Sequence, residues 1–179
     1  RQKQITVLVD EAYHYFYPKT FIKYALTEDH VFITRTFSKL FSMAGCRLGY
    51  VVGWSDGVKM VQKMCTPHNT NAFAMMFAEK VLTTPGMLDS LITNFNGGRK
   101  YLVNSLDKNG YRHKGEAGNF IFIEPKTDAQ TIVDRMKAEK RILIKAYPNV
   151  GEFGNCLRVS IGEEKYMKHF MDALLEIDQ

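Results

Sequence analysis

Two short β-branched runs, each breaking off onto polar residues, constrain the chain more than any other feature. Residues 5–9 run into Asp10-Glu11, and residues 31–37 run into Ser38-Lys39. Their length and residue types predict buried strands carrying polar groups at their ends. Residues 18–27 between them read as loop and short helix, which suits the crossover that parallel strands need. Residues 48–52 predict a third strand bracketed by Gly45, Gly49 and Gly53. Too few residues separate it from Phe37 for a helical crossover, so antiparallel pairing is expected there.

Phe73, Met76, Phe77 and Val81 fall near helical spacing and predict a helix over residues 71–82, stopped by Thr84-Pro85-Gly86. Leu88, Leu91, Ile92, Phe95, Leu102 and Leu106 carry a longer helix as far as Asn109-Gly110. A compact βαβ-like set follows: strand 120–123, helix 129–139 capped at Thr127-Asp128, strands 142–145 and 157–161, and a last helix over 164–177. The fold class is therefore α/β, a sheet fragment with a linking helix (residues 1–108) followed by a small α+β domain (residues 109–179).

An apolar fraction of 45% over 179 residues supports a globular core and excludes a disordered tail. Twenty-four Lys and Arg against nineteen Asp and Glu give +5 with both signs interspersed, which favours small anionic ligands and argues against nucleic acid. Cys46, Cys65 and Cys156 form no C-x-x-C pair, which points away from disulfide and zinc scaffolds and toward a reducing, cytoplasmic setting. No membrane span is expected, because no apolar run approaches the roughly 18 residues one needs. His14, His30, His68, His113 and His169 have no spacing that suggests a metal, and they read as surface or packing residues. Met60, Met64, Met75 and Met76 read as packing. The first residues, Arg1-Gln2-Lys3-Gln4, do not form a signal peptide, and Arg1 reads as an internal position of a longer product.

Three segments place chemistry at strand ends, where open α/β sheets bind ligands. In Val7-Leu8-Val9-Asp10-Glu11-Ala12-Tyr13, a carboxylate ends an apolar strand and needs a cation or donor if it is buried. Taken alone, it reads as a surface acid. In Thr36-Phe37-Ser38-Lys39, a lysine sunk at a strand end loses solvation and becomes a nucleophilic amine; the plainer alternative is a solvated turn residue. Leu157-Arg158-Val159-Ser160-Ile161-Gly162 puts an arginine among apolar strand residues, either at a sheet edge or as a planar fork for a carboxylate.

In this order, V-D-E-A-Y, T-F-S-K, A-G-x-R-x-G-Y, P-H-N-T-N and L-R-V-S-I-G resemble the fold-type I pyridoxal-phosphate enzymes. Within them, the chain resembles the class I/II aminotransferases of the histidinol-phosphate aminotransferase type along essentially its whole length. The resemblance implies part of the large-domain sheet of that fold plus its small C-terminal domain, with pyridoxal 5'-phosphate as cofactor. Asp10 would pair with the pyridine nitrogen and Tyr13 with the ring's phenolic oxygen. Lys39 would form the internal Schiff base and shuttle the proton, its pKa lowered by burial and by Arg47. Arg47 and Ser38, with Thr36 as a third member, would bind the cofactor phosphate. Arg158 would take the substrate carboxylate bidentately.

Lys145 stands where these enzymes usually carry an arginine for the substrate phosphate, and lysine binds phosphate as a point charge. Asn119 matches a small-domain strand reading A-N-F and could orient a loop near the substrate, or serve as a turn amide. Asn69 and Asn71 read as turn and cap residues. The implied partners are small amino-acid and keto-acid substrates and, in the full-length protein, a second copy in a homodimer. The front half that such enzymes possess, with a phosphate-binding turn and a stacking aromatic, has no counterpart here. Two other functions share the pattern: a phospho-amino-acid decarboxylase of the cobalamin-pathway type, and the cofactor-sensing portion of a transcription regulator. An inert module is disfavoured, since Asp10, Lys39, Arg47 and Arg158 would have no ligand.

Overall fold

A computed structural model describes residues 5–17, 19–67 and 69–179, so the readings made at Arg1-Gln2-Lys3-Gln4, Pro18 and His68 lie outside the described residues. The chain divides into two compact units, one ending at Leu88 and the other formed by Asp89–Gln179.

The first unit holds a three-stranded sheet of order β1 (Val7–Asp10), β2 (Val31–Thr36), β3 (Gly49–Gly53). β1 runs parallel to β2 with Val9 opposite Ile33, and β3 runs antiparallel to β2 with Val52 opposite Ile33, as loop lengths predict. The burial expected of residues 5–9 is not met, since Ile5, Val7 and Leu8 are exposed. The crossover between the parallel strands carries α1 (Ile22–Thr27). Its Ala25 is buried with Val31 and Ile33, and Val9, Ile22 and Val52 pack against that cluster.

The helix α2 (Ser55–Lys63) is absent from the sequence reading, and it buries no residue. Gly57 in its first half marks why: a Cβ there would lie 2.6 Å from the Phe32 ring, so the packing demands a residue that weakens the helical pattern. α3 (Ala72–Thr83) forms as predicted, with the Asn71 side chain capping it by accepting from the Ala74 N–H at 3.1 Å. Its buried face is made by Ala74 and Ala78, whereas Phe73, Met76 and Phe77 are exposed. Met60, Met64 and Met75 are exposed as well, so the expectation that these methionines are packing residues is corrected for all four.

The second unit begins within α4 (Met87–Lys108), which buries Phe95, Gly98, Leu102 and Leu106. This helix is expected in the first domain, and it counts with the second unit from Asp89 on. A sheet of order β4 (His113–Lys114), β5 (Phe120–Ile123), β7 (Cys156–Ser160), β6 (Lys145–Tyr147) follows, every neighbouring pair antiparallel. α5 (Ala129–Lys140) packs on β6, on β7 and on α6 (Glu164–Ile177). Ile121, Ile123, Leu157 and Val159 are buried on alternate strand positions. Asp128 caps α5 by accepting from the Thr131 N–H at 2.8 Å. Asp178, fully buried, accepts from the Lys126 and Thr127 N–H groups at 2.9 and 2.8 Å, which ties the end of the chain to the entry of α5.

The strand predicted over 142–145 is shifted, and Lys145 opens β6 rather than closing it. α5 ends on Arg141 in the left-handed conformation (φ 57°), and the Ile142 N–H closes back onto the Met136 carbonyl at 3.0 Å. Residues 142–144 are thus spent leaving the helix cap, which leaves Leu143 exposed.

Candidate active site

The end of β1 separates two adjacent acids. Asp10 is exposed, and its Oδ1 accepts from the Ala12 N–H at 3.0 Å and the Thr34 hydroxyl at 3.4 Å. Glu11 is buried, and it is the acid that meets the cation. Arg35 donates Nε–H and Nη2–H to Glu11 Oε2 at 3.0 and 2.9 Å, the Phe21 N–H donates to Oε1 at 2.7 Å, and the Thr20 hydroxyl adds a further bond. Burial works to raise the Glu11 carboxyl, but the bonds from Phe21, Arg35 and Thr20 outweigh it and hold the group below the usual carboxylate range.

The pair was missed in the sequence, although a signal existed. Parallel register puts Asp10 beside Thr34, which brings the next residue of each strand, Glu11 and Arg35, together. A group whose folded pKa is depressed stabilises above its unfolded pKa and loses that contribution as pH falls through the folded value. Glu11→Gln is therefore expected to lower stability by about 3 kcal/mol near neutral pH, the cost of breaking a buried pair. Urea denaturation should show that gap closing as the pH falls below the ordinary carboxylate range and the wild-type carboxyl protonates.

Beyond Glu11 the chain turns through a short 3-10 helix, His14–Phe16, which Tyr13 precedes. Lys39 is half-buried, and its ammonium lies 5.2 Å from the centroid of the Tyr13 ring, bringing together two of the expected site residues. The loop after β2 is closed by the Ser42 N–H on the Lys39 carbonyl (3.1 Å), the Met43 N–H on the Phe37 carbonyl (3.1 Å) and the Phe37 N–H on the Leu48 carbonyl (3.1 Å). Thr36 belongs to this scaffold: its Oγ1 accepts from the Ser38 N–H at 3.0 Å and donates to the Leu48 carbonyl at 3.3 Å. Arg47 ends the loop in the left-handed conformation (φ 51°), exposed, with one Nη donating to the Ala44 carbonyl at 3.1 Å. A non-glycine residue held there costs about 1–3 kcal/mol, a strain that often accompanies function.

In the second unit Arg158 and Lys145 stand directly opposite each other across β7 and β6, and Phe122 stands opposite Arg158 across β5. Residues paired in this way share one face of the sheet. The Arg158 guanidinium lies 4.0 Å from the Phe120 ring centroid, and Phe122 meets the Tyr147 ring at 5.9 Å. Two cations on an aromatic floor repel one another, and an anion set between them relieves that repulsion. A groove of about 740 Å³ is lined by Phe120, Phe122, Glu116, Ala117, Glu152 and Phe153 among others. Asn119 ends the turn before Phe120, and its Oδ1 is buried without a hydrogen-bond partner among the described residues. No group of three or more His, Cys, Asp or Glu that could hold a metal ion occurs among the described residues.

The model of the family "Aminotransferase class I and II" matches residues 1–174. The chain belongs to the class I and II aminotransferase family. A histidinol-phosphate aminotransferase of Caldanaerobacter subterraneus subsp. tengcongensis is 31% identical over 172 residues, 96% of this chain and 48% of that protein. The chain thus spans about half the length of the curated relatives it matches. Among solved structures, a histidinol-phosphate aminotransferase of Sinorhizobium meliloti in complex with pyridoxal-5'-phosphate superposes with a TM-score of 0.81 at 24% identity, over 95% of this chain and 48% of that one. An L-threonine-O-3-phosphate decarboxylase of Porphyromonas gingivalis superposes with a TM-score of 0.73 at 20% identity, over 96% and 54%. These structural likenesses establish the α/β fold of this aminotransferase family.

Proposed function

We propose that the full-length protein is a pyridoxal-phosphate-dependent aminotransferase that moves an amino group between an α-amino acid and a keto compound, with a substrate of the histidinol-phosphate kind. The observation that carries this reading is the donor set of the first unit: a carboxylate with an open oxygen at the end of β1, a primary amine against a tyrosine ring, and an exposed guanidinium on a left-handed backbone position that ends the same loop. These groups fit the cofactor's ring nitrogen, aldehyde and phosphate in turn, and family membership supports the same assignment. When bound, the cofactor supplies an electron sink for the substrate's α-carbon.

Asp10 would hold a proton on the cofactor's ring nitrogen with its free carboxylate oxygen. Tyr13 offers its hydroxyl to the ring's phenolic oxygen while its ring steadies Lys39. Lys39 would hold the cofactor through its amine and, when that amine is free, would carry the proton at the substrate carbon. Arg47 and the Ser38 hydroxyl bind the phosphate, and Thr36 acts behind them by holding the Ser38 N–H.

In the second unit Arg158 takes the substrate carboxylate as a planar fork. Lys145 takes a second anionic group such as a phosphate, and Asn119, in the turn before Phe120, orients a loop near the substrate. The three cysteines are free, which suits a cytoplasmic protein, and by family resemblance the full-length enzyme works as a homodimer.

The test supplies the full-length protein with pyridoxal phosphate, 2-oxoglutarate and a panel of α-amino acids and phosphorylated amines. Glutamate formation with return of the cofactor to its starting spectrum is the expected result. Carbon dioxide release without amino transfer would instead make the protein a decarboxylase. Cofactor binding with neither product would favour a sensor.

A further inference from the structure

Two neighbouring residues of α4 hold the two turns at one end of the second sheet. Gly98 lies flat against the turn between β7 and α6, where a Cβ would collide with the Gly162 carbonyl. Arg99 reaches the turn between β4 and β5, donating Nη1–H to the Gly118 carbonyl at 3.1 Å and Nη2–H to the Gly115 carbonyl. That turn has little slack. Gly115 sits at φ +148°, and a Cβ on it would lie 2.6 Å from the Phe120 carbonyl.

The turn leads through Asn119, whose carbonyl accepts from the Ile161 N–H at 2.8 Å, into Phe120, the ring on which Arg158 lies. Arg99 makes no ion pair within 4 Å among the described residues, so its half-buried guanidinium is satisfied by these carbonyls rather than by a carboxylate. Burial pushes the guanidinium below its ordinary pKa, and the Glu116 carboxylate pulls it back. A planar fork that spans two carbonyls is a task lysine cannot copy.

We propose that Arg99 is a positioning residue for substrate-carboxylate binding: by pinning Gly115 and Gly118 it sets the turn, the turn sets the Phe120 ring, and the ring sets the plane of the Arg158 guanidinium. The inference rests on the reading of Arg158 given above. It extends that site to a residue that touches neither substrate nor cofactor.

The test compares the full-length wild type with Arg99→Lys and with Gly115→Ala, which disturbs the same turn from its other end. Both are expected to raise KM for amino and keto acid about ten-fold while kcat stays within about two-fold, the pattern of lost uniform binding. Calorimetry with glutarate, a dicarboxylate that cannot react, should show the same loss of affinity, and the visible spectrum with added pyridoxal phosphate should be unchanged. Glutarate affinity equal to the wild type in both variants overturns the proposal, including where kcat and the melting temperature fall, since that marks a purely structural role. Arg158→Ala is the control for the premise: unchanged glutarate binding there shows that the reading of Arg158, and not of Arg99, is at fault.

Discussion

Lys39→Ala in the full-length protein is expected to lower amino transfer by at least about 10⁴-fold, because on the proposed reading it removes both the covalent anchor and the proton carrier at the substrate carbon. The fold should not register the change. Lys39 is half-buried, and the loop around it is closed by backbone bonds from Ser42, Met43 and Phe37 that an alanine leaves in place. Circular dichroism and the unfolding midpoint should therefore match the wild type, while the visible absorption band that pyridoxal phosphate acquires on linkage to an amine should be missing. Lys39→Arg should be as inactive as the alanine variant, since a guanidinium keeps the charge over the Tyr13 ring but gives up no proton near neutral pH. Small primary amines added to Lys39→Ala should restore part of the rate. Wild-type absorption in Lys39→Ala would remove the residue from the reaction altogether.

Arg158→Lys is expected to raise KM for carboxylate substrates about 10²-fold, equivalent to roughly 2.7 kcal/mol, with a smaller change in kcat. The charge survives in this variant, so the loss measures geometry. The guanidinium lies 4.0 Å from the Phe120 ring centroid, and an ammonium has neither its plane nor its paired donors. The register adds a second reason. Lys145 already stands opposite position 158, so a second compact ammonium would face the first and prefer solvent to a shared anion. Steady-state kinetics with a monocarboxylic amino acid and with a phosphorylated one should give the same rise for both. A rise confined to the phosphorylated substrate would exchange the roles of Arg158 and Lys145.

Strand identity and direction were legible wherever a buried run was bounded by turn chemistry. Residues 31–37 and 120–123 read cleanly because their β-branched and aromatic residues have no helical alternative, and the short link after Phe37 forced the antiparallel return. The faces of α3 were not legible. Phe73, Met76 and Phe77 match a core stripe in type and spacing, yet Ala74 and Ala78 are buried, and periodicity alone cannot rank a small residue that permits close approach above a large one. β6 was misplaced because residues 142–144 are apolar for a reason unrelated to pairing: they leave a left-handed cap whose geometry residue type does not announce.

Lys39, Tyr13 and Arg47 are named as candidates from motif order alone, while the Glu11 and Arg35 pair could not be seen until register brought them together. Thr36 shows the reverse error. Its hydroxyl suits a phosphate by chemistry, but local backbone groups claim it first.

The strand order of the second unit bears on how that unit comes into being. β7 is the last strand along the chain but lies between β5 and β6 in space. Until residues 156–160 exist, β5 has only the two-residue β4 beside it and β6 has no partner, so an incomplete chain displays open ladder edges. A chain shortened upstream of Cys156 is thus a candidate for edge-to-edge aggregation rather than for partial function. The same late strand delivers Arg158, so the carboxylate fork proposed for that residue arises in the step that closes the sheet.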